Sequence, residues 1–473
     1  MENRIWDFHH FVNQDALVED SGEKVTYRQM VSIGMKLCRQ IGHRCLVFIF
    51  CENCIGSIIG YVSFLNQGMV PVMLSNSLEH SLVENLLQTY MPSYLWVPVD
   101  KANEFKGQAE IELYGYRLLR TNYGKEYPLY EKLALLLTTS GSTGSPKFVR
   151  QSYENIRANT ESIVEYLDLD SGERPITTLP MNYTYGLSII NTHLAVGATI
   201  LLTNKGFMQK GFWEFFNEQG ATSFGGVPYT YEMLDKLRFY HMDLPSLRTM
   251  TQAGGKLTPK LHEIFAQFAA DTGRKFVVMY GQCEATARMG YLPAEKAAWK
   301  KGSMGIAVPG GTFTLLDVDG REIHTPHTAG ELVYEGANVT LGYAECGEDL
   351  RKGDERNGRL VTGDIAEFDE DGFYYIVGRK KRFLKIYGNR VNLDEVERLI
   401  KEKFGIEAAC AGVDDHMYIF LTDEKRSDLV RDYVIKKTGL NLAAFQTVAI
   451  GSIPKNDSGK TQYTELSKYY EEV

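Results

Sequence analysis

Residues 135–149 read LLLTTSGSTGSPKFV. The leucine run predicts a buried strand that delivers the chain into a loop of Thr, Ser and Gly, with Lys147 after it. Glycines let several backbone N–H groups converge on one anion, and the hydroxyls and the lysine add further donors. The stretch therefore predicts a phosphate-binding loop at the end of a strand.

This loop is not a Walker A loop, because the pattern GxxxxGK[ST] is absent from it. Residues 458–461, SGKT, imitate the end of that pattern. Pro454, however, stands where the first glycine of the pattern is required. We therefore expect a nucleotide-binding fold of another type.

Working outward from the loop, short apolar runs alternate with helical patterns. Before it come LVFIF at 46–50, IIGYVSFL, MVPVML at 69–74, SLVENLLQTYM and SYLWVP at 93–98, and after it come TILLT at 199–203, LHEIFAQFAA at 261–270 and KFVVMY at 275–280. Strand–helix–strand alternation predicts parallel sheet with covering helices. We expect a large α/β body.

The pattern of predicted secondary structure changes twice toward the end of the chain. Short strands with Gly and Asp turns after about residue 300 predict a β-rich subdomain. The basic run GRKKRFLKIYGNR then opens a small α+β segment with the helix LDEVERLIKEKF, the strand MYIFLT and a helix from about 427 to 438. The predicted fold class is α/β: a large N-terminal domain, 1–378, with mixed or parallel sheets, covering helices and a β-rich part at 300–378, and a small mobile α+β C-terminal domain, 379–473.

Composition narrows the class of protein. The chain has 473 residues, 44% of them hydrophobic and 23% charged, which is typical of a globular protein. Its net charge of −9 argues against a general nucleic-acid binder. The beginning lacks the pattern of a signal peptide, and Glu52 and Asn53 interrupt the most apolar stretch, so we expect a cytoplasmic protein that does not span a membrane. The CENC at 51–54 is interpreted as a strand–helix turn, since nothing nearby completes a metal site.

Several further stretches carry a recognisable signature. They are LPMNYTYGLS at 179–188, SFGGVPYTYEML at 223–234, QAGGKL at 252–257, MYGQCEAT at 279–286, the segment TGDIAEF…LDEVE at 362–397 and IPKNDSGK at 453–460. Together with the loop they resemble, in order, the motifs of the adenylate-forming superfamily. That superfamily contains acyl- and aryl-CoA synthetases, the adenylation domains of peptide synthetases and firefly-type luciferases. The resemblance covers nearly the whole chain.

The resemblance implies a binding site for ATP and Mg²⁺. The positions implied to bind the nucleotide are Thr139, Ser140, Gly141, Ser142, Thr143, Gly144, Lys147, Gly254, Gly255, Lys256, Tyr280, Gly281, Gln282, Cys283, Asp364 and Arg379. Among them, the stretch QAGGKL resembles the adenine-binding turn, and Asp364 and Arg379 are implied to lie near the ribose. Glu284 and Thr143 are the implied magnesium ligands. Lys460 is implied to act on the α-phosphate and the incoming carboxylate, and Lys385 to reach the site after rotation of the small domain about a hinge near Lys381.

The resemblance also implies a pocket for the acid. Its lining is expected to be apolar and partly aromatic, from Tyr183, Tyr185, Phe224, Gly226, Met279 and Met289. No aspartate is present in LPMNYTYGLS to hold an ammonium group, which favours an aryl or aliphatic acid without an α-amine. The chain departs from the family pattern at Cys283, usually threonine, at Tyr183, often histidine, and at 151–153, where a histidine-containing stretch is common.

The reaction implied is that of an AMP-forming acid–thiol ligase. A carboxylic acid and ATP would give acyl-AMP and pyrophosphate, and the acyl group would then pass to the thiol of CoA. The alternative is a stand-alone adenylation enzyme that loads the phosphopantetheine arm of a carrier protein. A luciferase-like oxidation and a non-catalytic nucleotide-binding relative are weaker hypotheses. The charged residues that adenylation needs are all present, namely Lys147, Glu284, Asp364, Arg379 and Lys460.

Overall fold

The computed structural model describes residues 4–123, 126–138, 147–386, 389–438, 440–455 and 460–470, without the side chains of residues 381, 383, 385, 389, 390 and 442. The chain divides into two compact units. The first unit consists of Met1–Phe313 with Tyr334–Leu360, and the second of Thr314–Val333 with Val361–Val473. The predicted domain boundary at 378–379 and the predicted hinge near Lys381 describe a rotation of the small domain. Both remain predictions.

The elements are as follows. The strands are β1 Asp15–Glu19, β2 Lys24–Thr26, β3 Leu46–Cys51, β4 Val70–Ser75, β5 Tyr94–Pro98, β6 Gln108–Leu113, β7 Tyr116–Arg120, β8 Leu133–Thr138, β9 Phe148–Ser152, β10 Ile200–Leu202, β11 Ser223–Gly226, β12 Thr249–Gln252, β13 Lys275–Tyr280, β14 Gly290–Tyr291, β15 Ile306–Ala307, β16 Gly311–Leu316, β17 Gly330–Gly336, β18 Gly342–Ala344, β19 Arg359–Phe368, β20 Tyr374–Arg379, β21 Phe383–Ile386, β22 Asn389–Asn392, β23 Ala408–Val413, β24 His416–Leu421 and β25 Phe445–Ala449. The helices are α1 Tyr27–Arg39, α2 Ile55–Asn66, α3 His80–Tyr90, α4 Tyr153–Leu167, α5 Thr184–Ala195, α6 Lys210–Glu218, α7 Pro228–Lys236, α8 Pro259–Thr272, α9 Leu393–Phe404 and α10 Ser427–Thr438.

The largest sheet of the first unit has the strand order β18-β9-β8-β4-β3-β5-β7-β6. Its central strands β8, β4, β3 and β5 are parallel, and antiparallel strands flank them on both sides. The parallel sheet predicted from the strand–helix alternation is confirmed. The CENC lies where β3 passes into α2.

Strand β3 shows why this region reads as an unbroken apolar run. Val47 and Ile49 pack into one hydrophobic cluster, whereas Phe48 and Phe50 pack into another. Successive side chains of a strand point to opposite faces of its sheet, so a strand covered on both faces needs apolar residues at every position. Helix α2, whose residues Ile55–Leu65 are all buried, supplies part of the cover.

A second sheet of the first unit has the order β11-β12-β13-β14-β15, in which β11, β12 and β13 are parallel. Ligands of open parallel sheets bind beyond the carboxyl ends of the strands. The predicted adenine-binding turn follows β12, and the YGQCE segment follows β13. Strand β8 likewise ends at Thr138, just before the predicted phosphate loop.

The second unit contains the predicted α+β elements. Strands β23, β24 and β25 form one sheet, and helices α9 and α10 pack into the same hydrophobic cluster as its strands. Helix α9 covers the predicted segment, because Asn392 caps its start and Gly405, at φ 66°, ends it. In the described parts of the chain, no helix combines the length and the apolar character that crossing a membrane requires.

Candidate active site

The predicted phosphate loop is framed by two neighbouring strands. Thr138 at the end of β8 pairs with Phe148 at the start of β9, so both ends of the connecting segment are anchored in the sheet. The positions predicted to bind phosphate or metal in this segment lie outside the described residues: Thr139, Ser140, Gly141, Ser142, Thr143 and Gly144. Lys147, which follows them, is described.

Lys147 lies on an aromatic ring. Its Nζ is 3.6 Å from the centroid of the Tyr343 ring and 3.5 Å from Oε1 of Glu345. A cation over the face of a tyrosine is attracted by the negative face of the ring. These two contacts hold the ammonium group beside the predicted phosphate loop.

Glu284 lies in a short 3₁₀ helix, Cys283–Ala285, after β13. Its Oε1 accepts a hydrogen bond from the Tyr343 hydroxyl at 2.7 Å, the only side-chain partner of this carboxylate in the described part of the chain. Its backbone oxygen accepts from the N–H of Thr340 at 3.0 Å and from Arg356 at 3.1 Å. The segment that carries Glu284 is thus held through its main chain, and the Tyr343 hydroxyl orients the carboxylate.

Tyr343 joins the two charged residues. Its hydroxyl contacts Glu284, its ring contacts Lys147, and the guanidinium carbon of Arg356 lies 4.6 Å from the ring centroid. Burial and the negative charge of Glu284 raise the pKa of Tyr343, so the phenol stays protonated and donates. Sequence reasoning did not select this residue, since a tyrosine in a short strand carries no local signal of a site.

The backbone around Tyr343 is fixed by a buried cation. Arg150 of β9 is fully buried and donates to the carbonyl oxygens of Tyr343 at 2.9 Å and Leu341 at 3.2 Å. Gly342 has a φ of 126°, and a Cβ there would lie 2.5 Å from Oε2 of Glu355. A larger residue would therefore displace the strand that presents the Tyr343 ring.

The predicted adenine-binding turn lies against the predicted acid pocket. Gly254 adopts a φ of 85°, and the side-chain amide of Gln252 donates to the carbonyl of Gly255 at 2.8 Å. A Cβ on Gly254 would lie 2.7 Å from the Tyr183 hydroxyl. The turn Gly254–Lys256 and Tyr183 therefore come together at the ends of β12 and β13.

The YGQCE segment doubles back on itself. Gly281 admits this path because a Cβ there would lie 1.7 Å from the carbonyl oxygen of Ala287. Gln282 donates from its amide to the Tyr280 hydroxyl at 3.3 Å, and Cys283 is buried. Met289, fully buried, donates its N–H to the carbonyl of Tyr280 at 2.8 Å.

Three residues of the predicted acid pocket lie close together in the structure. Tyr183, Tyr185 and Met279 share one hydrophobic cluster with Val227 and Ala253. Burial raises the pKa of Tyr185 to about 12 and also raises that of Tyr183, so both phenols are neutral. Tyr183 thus lacks the basic nitrogen that a histidine would supply at this position.

Of the two predicted pocket residues on β11, Gly226 contacts the Tyr185 hydroxyl through its backbone, whereas Phe224 packs elsewhere. The Tyr185 hydroxyl lies 2.9 Å from the place where a Cβ of Gly225 would stand, whereas a Cβ of Gly226 would meet Thr230. Phe224 packs into a separate aromatic group, 5.7 Å from the ring of Phe239. The strand alternation that turns Gly225 toward Tyr185 turns its two neighbours to the other face.

The departure at 151–153 has a local structural reason. The Ser152 side chain accepts from the N–H of Asn155 at 3.1 Å, and the Asn155 side chain accepts from the N–H of Ser152 at 2.9 Å. This reciprocal pair is a capping box, which begins helix α4 at Tyr153. The serine therefore serves the start of a helix.

In the second unit, two residues predicted near the ribose pair with each other. Asp364 of β19 faces Arg379 of β20, and the Nε of Arg379 lies 2.8 Å from Oδ1 of Asp364. Asp364 is buried and Arg379 is exposed, so the arginine covers a carboxylate at the edge of this unit.

The predicted lysines of the second unit lie at two turns. Lys385 pairs through its backbone with Arg390 in the β21–β22 hairpin, and its side chain lies outside the described residues. Lys460 is half-buried and directly precedes Thr461, which forms a β-bridge with Lys455.

Two described cations of the basic run that begins near residue 379 pair with carboxylates of the same unit. Lys380 contacts Glu331 at 2.8 Å. Arg382 contacts Asp394 at 2.8 Å and Glu397 at 2.5 Å. Lys380 and Arg382 are therefore paired with carboxylates of their own unit.

Lys147, Glu284 and the turn Gly254–Lys256 all lie near the carboxyl ends of parallel strands. This arrangement is typical of a nucleotide-binding α/β protein. The chain belongs to the family of AMP-binding enzymes, whose model matches residues 6–344. The resemblance to the adenylate-forming superfamily is thereby confirmed.

The chain shares about 30% identity with individual curated relatives. The chain is 30% identical to a long-chain-fatty-acid–CoA ligase of Bacillus subtilis, over 65% of this chain and 53% of the relative. It is 28% identical to an oxalate–CoA ligase of Arabidopsis thaliana, over 71% of this chain and 67% of the relative. The chain thus spans between about half and two thirds of the length of these curated relatives.

The fold is shared with a solved structure. The o-succinylbenzoate CoA synthetase of Bacillus subtilis, in complex with its acyl-adenylate intermediate, superposes with a TM-score of 0.77 and 21% identity. The match covers 96% of this chain and 95% of the other. The predicted α/β fold class is confirmed.

Proposed function

We propose that this protein is an AMP-forming acid–thiol ligase. It would join a carboxylic acid to AMP with release of pyrophosphate, and then pass the acyl group to the thiol of CoA. The observation that carries the proposal is the meeting of Lys147 and Glu284 on Tyr343. Two segments far apart in sequence supply, at one place, a cation for phosphates and a carboxylate for a metal ion.

The residues support charge stabilisation as the main source of catalysis. ATP carries about four negative charges, and adenylation develops more charge around the α-phosphate, which positioned donors stabilise. Lys147 would bind phosphate oxygens, and its contact with the Tyr343 ring restricts where the ammonium group can lie. Gly254, Gly255 and Lys256 would border the adenine, with Tyr280 against the base.

The carboxylate of Glu284 fits Mg²⁺. This ion is bound in proteins through one or two carboxylates together with substrate phosphates and waters. Glu284 offers such an oxygen ligand, and Thr143 is the second proposed ligand. Mg²⁺, when bound, would neutralise part of the phosphate charge, while Tyr343 would orient the carboxylate through its hydrogen bond.

The second unit would complete the reaction. Asp364 would accept the ribose hydroxyls and Arg379 would lie near the sugar and phosphate. Lys460 would stabilise the α-phosphate during adenylation, and Lys385 would replace it after rotation about Lys381, when the thiol reacts. Domain rotation of this kind lets one site perform two half-reactions.

CoA is the proposed acceptor. The similarity to proteins named CoA ligases favours it over a carrier protein, which is the alternative acceptor. For the acid, the apolar cluster around Tyr185 and Met279 favours an aryl or aliphatic compound without an α-amine. A cytoplasmic location is proposed as well.

Pyrophosphate release tests the proposal directly. The protein is incubated with ATP, Mg²⁺ and a panel of aryl, aliphatic and amino acids, without any thiol, and pyrophosphate and AMP are measured. We expect a signal with at least one acid lacking an α-amine, and acyl transfer when CoA is added. A complete lack of AMP and pyrophosphate with every acid, with and without CoA, would overturn the proposal. If the acyl group passes only to a carrier protein and not to CoA, the carrier protein is the acceptor.

We predict that Tyr343→Phe raises the Mg²⁺ concentration for half-maximal adenylation roughly tenfold, the usual effect of removing a partner of a metal ligand. The KM for ATP should change less than about twofold, because phenylalanine keeps the ring under Lys147. The measurement is the initial rate of pyrophosphate release against Mg²⁺ and against ATP.

Tyr240→Phe is the matched control, since it also removes a tyrosine–carboxylate hydrogen bond, to Asp235 at 2.8 Å, outside the site. It should leave both dependences unchanged. Tyr343 does not position Glu284 if Tyr343→Phe changes the Mg²⁺ requirement and the KM for ATP by the same factor. The same conclusion holds if the variant changes neither quantity.

A further inference from the structure

Arg288 is a buried cation without a counter-charge. Its side chain is 2% exposed, and its Nη1 donates to the Tyr166 hydroxyl at 3.2 Å. Its Nε is buried and has no hydrogen-bond partner among the described residues. No Asp or Glu of the described part of the chain forms an ion pair with Arg288.

Such an arrangement is costly for the free protein. A guanidinium group stays charged at any ordinary pH, and a charge removed from water is normally paired with an opposite charge. Arg288 has instead one phenol and the face of the Tyr185 ring, whose centroid lies 5.1 Å from the guanidinium carbon. Neither partner carries a negative charge. The desolvated guanidinium group would therefore attract an anion strongly.

The guanidinium group adjoins the proposed acid pocket. Tyr185 and Met279 belong to one hydrophobic cluster, and Tyr166 packs against it. The Tyr166 hydroxyl accepts from Arg288 and lies 3.1 Å from the sulfur of Met279. Tyr166 also stacks on Tyr291 at 4.2 Å, which fixes the hydroxyl in place.

His193 completes this polar group. It lies two turns after Tyr185 on helix α5, and its Nδ1 is 2.8 Å from the carbonyl oxygen of Ile189. Nδ1 therefore carries the proton, and the buried Nε2 is an acceptor without a hydrogen-bond partner among the described residues. Burial and the charge of Arg288 lower the pKa of His193 to about 4, so this histidine is neutral and adds no charge.

Two tyrosine side chains pack closely against the ends of β11 and β12. The Tyr185 hydroxyl lies 2.7 Å from the Thr251 hydroxyl, and a Cβ on Gly225 would lie 2.9 Å from the Tyr185 hydroxyl. A Cβ on Gly254 would lie 2.7 Å from the Tyr183 hydroxyl. The space that these two side chains take up favours a short acid over a long acyl chain.

We propose that Arg288 is a specificity-determining residue that binds a second carboxylate of the acid, so that the preferred substrate is a short dicarboxylic acid. This inference rests on the proposed ligase function. One carboxylate would form the bond to the phosphorus of AMP, with pyrophosphate as the leaving group. The other would stay ionised, accept from Nε of Arg288 and supply the missing negative charge.

Matched acids test the proposal. Pyrophosphate release is measured with succinate against butyrate and with glutarate against pentanoate, for the wild type, Arg288→Met and Arg288→Lys. We expect the wild-type kcat/KM to be at least roughly tenfold higher for the dicarboxylic acid of each pair. Arg288→Met should lower it about thirtyfold or more for the dicarboxylic acids, the usual effect of truncating one member of a buried charge pair. The monocarboxylic acids should change less than about threefold, and Arg288→Lys should restore part of the preference.

Arg274→Met is the control for loss of a partly buried arginine. Its Nε donates to the carbonyl of Leu247 at 3.1 Å, away from the pocket, and its loss should leave the acid preference unchanged. A wild type that prefers the monocarboxylic acids, or an Arg288→Met variant that loses activity equally toward both members of a pair, would overturn the proposal.

A second measurement separates this inference from the ligase function and does not need turnover. Succinate should raise the Tm of the wild type more than butyrate does, and Arg288→Met should abolish that difference. Without acid, Arg288→Met should unfold at the same or a higher urea concentration, since it removes an uncompensated buried charge. Equal Tm shifts with succinate and butyrate in the wild type would refute the dicarboxylate site, even if Arg288→Met failed to fold. Absence of pyrophosphate with every acid refutes the ligase function alone.

Discussion

Lys460→Ala is expected to lower the rate of adenylate formation by about 10²–10³-fold and to leave acyl transfer from supplied acyl-AMP largely intact. The resemblance assigns this lysine to the α-phosphate and the incoming carboxylate, where charge builds up during adenylation. Removal of one donor at such a place typically costs about 3–4 kcal/mol of transition-state stabilisation. The two rates are measured as pyrophosphate release with acid and ATP, and as thioester formation from synthetic acyl-AMP and CoA.

Two further variants make this result specific. Lys455→Ala removes a nearby lysine that pairs with Glu407 at 2.6 Å, and it should leave both rates unchanged. Lys385→Ala should show the opposite pattern to Lys460→Ala, with adenylation retained and thioester formation lost. Equal loss of both steps in Lys460→Ala would contradict the exchange of lysines between two half-reactions.

Glu284→Gln is the second change with a large expected effect. Glutamine keeps an oxygen that can accept from the Tyr343 hydroxyl, so the local hydrogen bond survives while the negative charge is lost. Mg²⁺ prefers charged oxygen ligands, and weaker metal binding leaves phosphate charge uncompensated. We expect kcat/KM for ATP in adenylation to fall by about a hundredfold or more.

The measurement is pyrophosphate release over a range of Mg²⁺ concentrations. High Mg²⁺ should recover part of the activity of Glu284→Gln, because a weakened site can be filled by mass action. Glu345→Gln is the control, since it removes a carboxylate that contacts Lys147 at 3.5 Å without being a proposed metal ligand. A rate of Glu284→Gln within a few-fold of the wild type at low Mg²⁺ would exclude Glu284 as the metal ligand.

The local elements of this protein were readable from the sequence. The run at 46–50 predicted a buried strand, and the structure shows both of its faces covered. The segment LDEVERLIKEKF predicted the helix that the structure has at 393–404, bounded by a capping asparagine and a glycine. These predictions succeeded because side-chain periodicity and capping act between residues close together in the chain.

The candidate site was predictable only in part. The order of the motifs identified the family and named Lys147 and Glu284. It did not name Tyr343, which contacts both, and it assigned to the acid pocket Phe224, which the structure packs against Phe239. A motif records which residue types recur, whereas the face to which a strand turns a side chain depends on how its sheet is covered.

The sequence by itself determined the family, the alternation of strands and helices and the residue types available for binding a nucleotide. Only the tertiary structure decided which of them meet. It brought residues 147, 284 and 343 together from separate segments, and it buried Arg288 against Tyr166 and Tyr185 with no carboxylate paired to it among the described residues. The physical reason is that local preferences depend on neighbours in the chain, whereas the charge and space around a buried group are set by segments distant in sequence.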